Sequence, residues 1–529
     1  MAAGSLKGPL RVPAFRNLLL ANLASDIGNF IQNVGAAWLM VSLSAGPKYV
    51  ALTQTAASLP FFLLALPAGS IGDIVDRRRL VLFTEIWMAV FAVGLAVLTL
   101  AGAASPWMLL AFTFAISAGD AFEAPTWRAL LPDLVSRDDL AAGSALNGIE
   151  FNLARAVGPA LGGAIIAAAG VGAAFSVNAL SFAGVILVIA RWKPRVKERL
   201  APAETVAGAT VAALRYVRYS PGIRTLTLRS GLVMFFASAS LALLPLVAHR
   251  SSQSPLGYGL LLGCFGVGAI LGALLLQPAR ARFSIEAVVS AAVAVFGAVM
   301  IGIAVLRPLA ALAAILLIGG GVWLLFISLL SACVQSLAPD WVRARVLAIY
   351  LLAFQGGVAG GSAFWGALAE RCGIQSALVW AGVGTAAAAA LGLIWKLPPA
   401  TEDVAPWIHW PTPVLPAGLE EQAEEGPVLV TTEYIVGPEQ KDSFLEALRE
   451  YERVRRRDGA SRWGIYQDTE NPDRYIEAYV VPSWDEHLRQ HARQTQADRT
   501  LEDRVRGLAQ GDPKIQHLIY ARARTARGS

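Results

Sequence analysis

The chain has 529 residues, of which 55% are hydrophobic and only 16% are charged. That composition excludes an ordinary soluble protein of this size. A formal net charge of +6 is too modest to signal nucleic-acid binding. Charges are sparse through most of the chain and crowd its last quarter, so two regions of different physics share one sequence. Three cysteines, Cys264, Cys333 and Cys372, show no metal-type spacing and imply no disulfide framework. Two of them lie in apolar runs, where cysteine acts as a small buried hydrophobe.

The N-terminus, "MAAGSLKGPLRVPAFRN", carries a few basic residues ahead of a long apolar run. A secretory leader would have a shorter apolar core and a small-residue cleavage site. The run is expected to be an uncleaved first membrane helix. Inside it lies "NLASDIGNFIQN". Asn22, Asp26, Asn29 and Asn33 fall four, three and four residues apart, which stacks them on one helix face. Ser25 and Gln32 widen that face. One polar stripe on an otherwise lipid-compatible helix is what a polar cavity wall requires.

Further apolar runs follow at 49–71, 80–101, 106–130, 142–168, 172–191, 226–248, 257–277, 285–305, 309–336, 346–369 and 375–395. With the first run at 18–41 they make about twelve spans by the criterion of ~20 residues. With a cytoplasmic N-terminus, one side of the membrane receives Arg77, Arg78, Arg79, Arg137, the basic segment 191–229, Arg280, Arg282, Arg343 and Arg345. The other side receives only Lys48, Arg250, Arg307 and Arg371. The positive-inside rule therefore predicts that both termini are cytoplasmic.

The long middle connection, 192–225, reads as a basic amphipathic helix lying along the membrane face. It separates an N-terminal six-helix half, 1–191, from a C-terminal half, 226–399. A weak internal repeat supports duplication. Pro132-Asp133 follows the fourth span and Pro339-Asp340 the tenth, each at a helix end with an Arg before the next span.

Between the second and third spans stands "GSIGDIVDRRRL". Gly allows close packing, Asp73 can cap or pair at a helix end, and the arginines anchor the loop. Gly69, Asp73, Arg77 and Arg78 resemble the cytoplasmic loop signature of the major facilitator superfamily, although Asp76 replaces the usual Gly of its tight turn. In the fifth span, Gly158, Pro159, Gly162 and Gly163 permit close backbone approach, and Pro159 is expected to bend the helix. The run resembles the antiporter-type motif of that superfamily's exporters. The stretch "ALLPDLVSRDDLAAGSALNGIEFNLARAVGPALGG" is similar to the transmembrane secretion effector branch, to which enterobactin exporters and macrolide-type efflux proteins are similar. The resemblance implies an all-α membrane fold of twelve helices in two six-helix halves, alternating access and export.

Ionisable residues within spans are costly and point to function. They gather in the first half: Asp26, Asp120, Glu123, Arg128, Glu150 and Arg155. The second half offers mainly Gln335 and Gln355. A carboxylate whose surroundings alternate between apolar and Arg-paired can carry a proton. Asp26 and Glu123 are the coupling candidates, with Arg155 as partner; structural ion pairing is the alternative role. Phe30, Trp38, Phe122, Trp127, Trp323, Phe326, Phe354 and Trp365 are available as apolar lining.

Residues 400–427 are rich in Pro and Glu and read as a linker. Beyond them a strand near 428–436, a helix near 439–458, strands near 462–468 and 475–481, helices near 484–509 and a strand near 515–522 give a βαββαβ order. That is the ferredoxin-like pattern. The domain, 428–529, is similar to those related to antibiotic-biosynthesis monooxygenases. His487 and His491 are spaced i, i+4, but the sequence shows no third ligand, and a solvated helix face is the expected reading. No cofactor, catalytic residue or metal ligand is expected, and an accessory, sensing or dimerising role is expected for the tail.

The chain is thus expected to be a multi-pass exporter of the bacterial inner membrane. Its cargo would be a small amphipathic molecule such as a siderophore, macrolide or drug, exchanged for protons across the lipid bilayer. Alternatives are a lipid or lysophospholipid translocator and a membrane-anchored enzyme or sensor.

Overall fold

The computed structural model describes residues 7–192, 206–397 and 426–520, with residues 403–405, 407, 413 and 415 between the last two segments. The linker expected at 400–427 lies almost wholly outside the described residues, as does the first part of the connection expected at 192–225. The chain divides into two compact units. One comprises residues 1–201, 227–331 and 350–397; the other comprises 202–226, 332–349 and 398–529.

The first unit is helical. A short helix α1 (Lys7–Leu10) precedes α2 (Pro13–Ser42), α3 (Gly46–Ile74), α4 (Arg77–Leu100), α5 (Pro106–Leu134) and α6 (Leu140–Arg191). Beyond α7 (Val206–Tyr219) come α8 (Pro221–Ser252), α9 (Pro255–Arg282), α10 (Ile285–Val305), α11 (Leu309–Leu337), α12 (Arg343–Cys372) and α13 (Ile374–Ile394); α7 belongs to the second unit with the α11–α12 connection. Among the described residues, nine helices are long and apolar enough to cross a membrane.

Several helices open on a cap followed by proline, which fits the first turn because its missing N–H has no partner there. Ser105 accepts from Met108 N ahead of Pro106, and Ser254 accepts from Leu256 N ahead of Pro255. Asp76, where a glycine turn was expected, caps α4 by accepting from Arg79 N at 2.9 Å. Pro159 does not break α6. The one non-helical backbone inside that helix is Gly170, at φ 81° and ψ 171°, a conformation that suits glycine.

Some contacts between α2–α6 and α8–α13 lie near helix ends, and others lie deeper, as at Gly356 of α12 against Phe62 of α3. Trp38 packs edge-on against His249 with centroids 5.6 Å apart. A Cβ on Gly366 would fall against Ala51, and Gly163 faces Gly259. These last three contacts use the last turns of α2, α8 and α12, the first turns of α3 and α9, and the turns of α6 ahead of Gly170.

The second unit contains a four-stranded antiparallel sheet built from β1 (Val428–Ile435), β2 (Arg462–Gln467), β3 (Arg474–Val481) and β4 (Lys514–Ile519), in the order β2-β3-β1-β4. Helix α14 (Lys441–Asp458) joins β1 to β2, and α15 (Trp484–Arg493) and α16 (Gln496–Gly507) join β3 to β4. These elements fall within a few residues of those expected. Strand alternation turns Val428, Val430, Thr432 and Tyr434 inward. Against Tyr434 α14 lays Phe444, Ala447, Leu448 and Tyr451, an i, i+3, i+4, i+7 stripe, while Val428 and Val430 pack with Tyr479 and Trp484. One charge is wholly buried there. Glu477, 0% exposed, accepts from Arg455 Nε at 3.1 Å and from Trp463 Nε1 at 2.9 Å. The burial cost is offset because both partners reach the same carboxylate.

The tail's helices also engage α7 and the connection between α11 and α12, all within this unit. Arg215 donates to Glu486 at 2.6 Å, Arg457 lies over the Tyr216 ring at 5.2 Å, and Arg493 lies over the Trp341 ring at 4.6 Å. The solvated face expected for His487 and His491 does not form. His487 is 2% exposed, and burial, with His491 and His517 beside it, pushes its imidazole down to about 3.

Candidate functional site

A cavity of about 350 Å³ lies within the helical unit. That volume suits a drug-sized molecule. Helix α2 supplies Asp26, Asn29, Phe30, Gln32 and Asn33 to its wall. Thus three of the four stripe residues line it, and the helical period explains why they do. Helix α5 adds Thr113, Ser117 and Asp120, and α3 adds Gln54 and Ser58. The wall contributed by α8, α11 and α12 is more apolar, with Leu241, Trp323, Phe354 and Val358, relieved by Ser238 and Gln355. Of the aromatic candidates, Phe30, Trp323 and Phe354 reach the cavity. Trp38 instead stacks on Tyr258, Phe326 packs against Trp323 and Phe296, and Trp365 donates from Nε1 to Phe235 O at 2.9 Å. Phe122 and Trp127 are not among the lining residues, and Trp127 packs with Leu18, Val81 and Leu130.

Asn22, the fourth stripe residue, takes a different position. Its Nδ2 donates to Glu150 Oε2 at 3.1 Å and to Asp26 Oδ2 at 3.4 Å. It therefore ties the cavity acid on α2 to a buried acid on α6. Glu123 belongs to a second group. Its Oε2 accepts from Thr84 Oγ1 at 3.1 Å, and its carboxyl hydrogen-bonds that of Glu85. Asp120, one turn earlier on α5, faces the cavity instead.

Glu85 was not among the sequence candidates. It is 1% exposed and sits on α4, and its Oε2 has no hydrogen-bond partner among the described residues. The signal was present: a lone acid five residues into the apolar run that begins at residue 80. Its nearness to the Arg77–Arg79 cluster disguised it as a helix-end charge.

Arg155 does not join the acids. Its guanidinium lies over the Phe151 ring, 4.8 Å from the centroid. Among the described residues, Asp26, Glu85, Asp120, Glu123 and Glu150 form no ion pair with Lys or Arg. The side chain of Arg128 lies outside the described residues. Near the start of α10, Arg229 of α8 grips both oxygens of Glu286 at 2.9 and 2.8 Å and donates to Trp395 O, a structural ion pair. Gln355 lines the cavity, whereas the carbonyl of Gln335 accepts from Arg343 Nε at 3.1 Å.

The loop arginines are anchored. Arg77 pairs with Asp133 at 3.2 Å, and Arg78 donates to the carbonyls of Ile189 and Ala190 at the end of α6. The side chain of Asp73 and the packing around Gly69 lie outside the described residues. The glycine run of α6 serves two neighbours. A Cβ on Gly158 or Gly162 would strike α2 at Phe30 or Ile31, and one on Gly163 would strike α9 at Pro255, Leu256 and Gly259. The run is therefore a two-sided seam that also carries Pro159.

The model of the transmembrane secretion effector family matches residues 4–526, which takes in the tail as well as the helical region. The chain is 28% identical over 384 residues to the multidrug efflux pump Tap of Mycolicibacterium fortuitum, covering 70% of this chain and 91% of that one. It is 27% identical over 266 residues to the enterobactin exporter EntS of Salmonella typhi, covering 50% of this chain and 63% of that one. In fold it is similar to the crystal structure of the nucleoside transporter NupG, with a TM-score of 0.62 at 11% identity, over 72% of this chain and 100% of that one. The family and these relatives are transporters, not enzymes. The chain belongs to the transmembrane secretion effector family of the major facilitator superfamily.

Proposed function

We propose that this protein is a proton-coupled exporter of a small amphipathic molecule, of the siderophore or drug-like class. The observation that carries the reading is the cavity wall. Polar and acidic groups come from α2, α3 and α5, and an apolar, aromatic wall comes from α8, α11 and α12. An amphipathic cargo finds a surface for each of its faces there. Asp26 and Asp120 stand at the wall without an ion-pair partner among the described residues, and Asn22 links Asp26 to Glu150. A carboxyl at a cavity wall without a fixed counter-charge can take up and release a proton as the cavity opens to either side, which is what coupling proton release to cargo exchange requires. The relatives named as efflux pump and enterobactin exporter support the direction of transport.

Twelve spans follow when α2, α3 and the two parts of α6 on either side of Gly170 join the other long helices. The distribution of Lys and Arg supports cytoplasmic termini in a bacterial inner membrane. On that orientation the paired ends of Trp38 with His249 and of Gly163 with Gly259 lie on the outer side. The state described here is then closed outward, and alternating access would separate those ends. The strand order of the tail supports a ferredoxin-like domain.

The test is efflux from cells lacking their own pumps. A panel of siderophores, macrolides and dyes is compared for wild type and Asp26→Asn, with and without a protonophore. Efflux lost in both the variant and the uncoupled cells, at equal expression, supports the mechanism. Efflux that survives both removes proton coupling and favours a lipid-type translocator.

A further inference from the structure

We propose that the C-terminal domain holds a site for one divalent transition-metal cation, with His487, His491 and His517 as its protein ligands. The chain has only five histidines, and three of them converge here. One ligand nitrogen or more from each lies within 4.8 Å of the others. His487 and His491 come from successive turns of α15, and His517 comes from edge strand β4, opposite Val430 of β1. The site therefore closes the crossover from α15 to β4. The sequence spacing revealed the helical pair and could not reveal the strand residue.

One nitrogen pair already has a chelating separation, which an N–H···N hydrogen bond holds without a metal, and the third imidazole, within 4.8 Å, would draw in as an ion binds. Nε2 of His487 and Nε2 of His491 are 3.2 Å apart. Two imidazoles bound to one tetrahedral zinc ion at ~2.0–2.1 Å place their nitrogens about 3.3 Å apart. The rings meet at steep angles, 84° for His487 with His491 and 54° for His487 with His517, at centroid separations of 4.8 and 4.7 Å. Parallel stacking for packing alone would turn the nitrogens away from a common centre.

The surroundings orient the central ligand. Gln490 Oε1 accepts from Nδ1 of His487 at 3.3 Å, which fixes the tautomer and leaves the Nε2 lone pair aimed at the cluster. Metal-bound histidines are held in this way by a second partner on the far nitrogen. Trp484 forms an apolar wall, with its ring 5.5 Å from His487 and 5.7 Å from His517. An all-imidazole set selects zinc, cobalt, nickel or copper and disfavours magnesium and calcium, which require oxygen ligands. Three protein ligands leave a fourth position for water or another small ligand.

The experiment uses the full-length, tag-free protein in detergent. Cobalt(II) is titrated while visible absorption is followed, and zinc bound after dialysis is measured directly. One equivalent is expected, with intense tetrahedral cobalt bands and a raised melting temperature for the zinc-loaded protein. His491→Gln and His517→Gln, both at partly exposed positions, should each weaken binding at least about tenfold. His249→Gln, in α8, should leave it unchanged. Wild-type protein that takes up no stoichiometric zinc and shows no melting shift overturns the site. So does wild-type affinity in His517→Gln.

Discussion

Gly163 and Gly259 meet backbone to backbone: a Cβ on Gly163 would lie 3.0 Å from Cα of Gly259, and one on Gly259 would lie 2.9 Å from Cα of Gly163. These two residues join α6 to α9 with no side chain between them. Gly163→Val or Gly259→Val should therefore force the helices apart, at a cost of about 1–3 kcal/mol for overpacking. If the seam closes the outward side, each variant should also shift the protein toward the opposite state. Thiol labelling of a cysteine placed in the cavity would report that shift, and unchanged labelling with unchanged melting would show that the seam tolerates separation.

Asn22 bridges two acids, so its removal should be felt by both. Asn22→Leu leaves Asp26 and Glu150 without their shared donor, and loss of a donor to a buried acid costs on the order of 1–3 kcal/mol. Efflux should fall about 5- to 160-fold if that energy appears in the transport barrier. Asn22→Gln, which keeps the amide, should recover part of it. Equal efflux by wild type and Asn22→Leu would remove the bridge from the mechanism.

Glu85 and Glu123 give a prediction that sequence reading alone would not have made. Glu85→Gln keeps a hydrogen-bonding partner for Glu123 and removes one ionisable group. Expression and folding should stay near wild type, while the pH dependence of efflux changes. Glu85→Ala instead leaves buried Glu123 without its carboxyl partner and should lower the melting temperature. A pH profile of Glu85→Gln identical to wild type would make the pair purely structural.

In the tail, Glu486 receives Arg493, Arg215 and Arg489. Burial works to raise its pKa, but the hydrogen bonds and charges of Arg493 and Arg215 prevail and hold it below the usual range. A depressed folded pKa stabilises above the unfolded value of about 4.3 and loses that contribution as pH falls through the folded value. Hydrogen exchange in α15 peptides should show wild type more protected than Glu486→Gln at neutral pH. The gap should close in acid below about pH 4. A gap that is constant with pH would assign the effect to packing.

Much of the fold was legible because a bilayer imposes local rules. Every span must be contiguous, apolar and long enough, so the runs appear in one dimension. The stripe of Asp26, Asn29 and Asn33 was legible for the same reason, since helical period alone sets the face. The Asp76 cap shows the limit of motif reading. Where the family's signature has a glycine, Asp76 caps α4 through a side-chain hydrogen bond.

What only the tertiary structure decided were the meetings between distant segments. The sequence by itself determined a polar-striped, multi-helix membrane chain with an α+β tail, because periodicity and hydropathy are properties of neighbours. It could not tell that Arg155 turns to Phe151 instead of the acids, or that Glu85 joins Glu123. Nor could it tell that His517 arrives beside His487. Those outcomes depend on helix rotation and strand register, which are fixed by packing the whole chain.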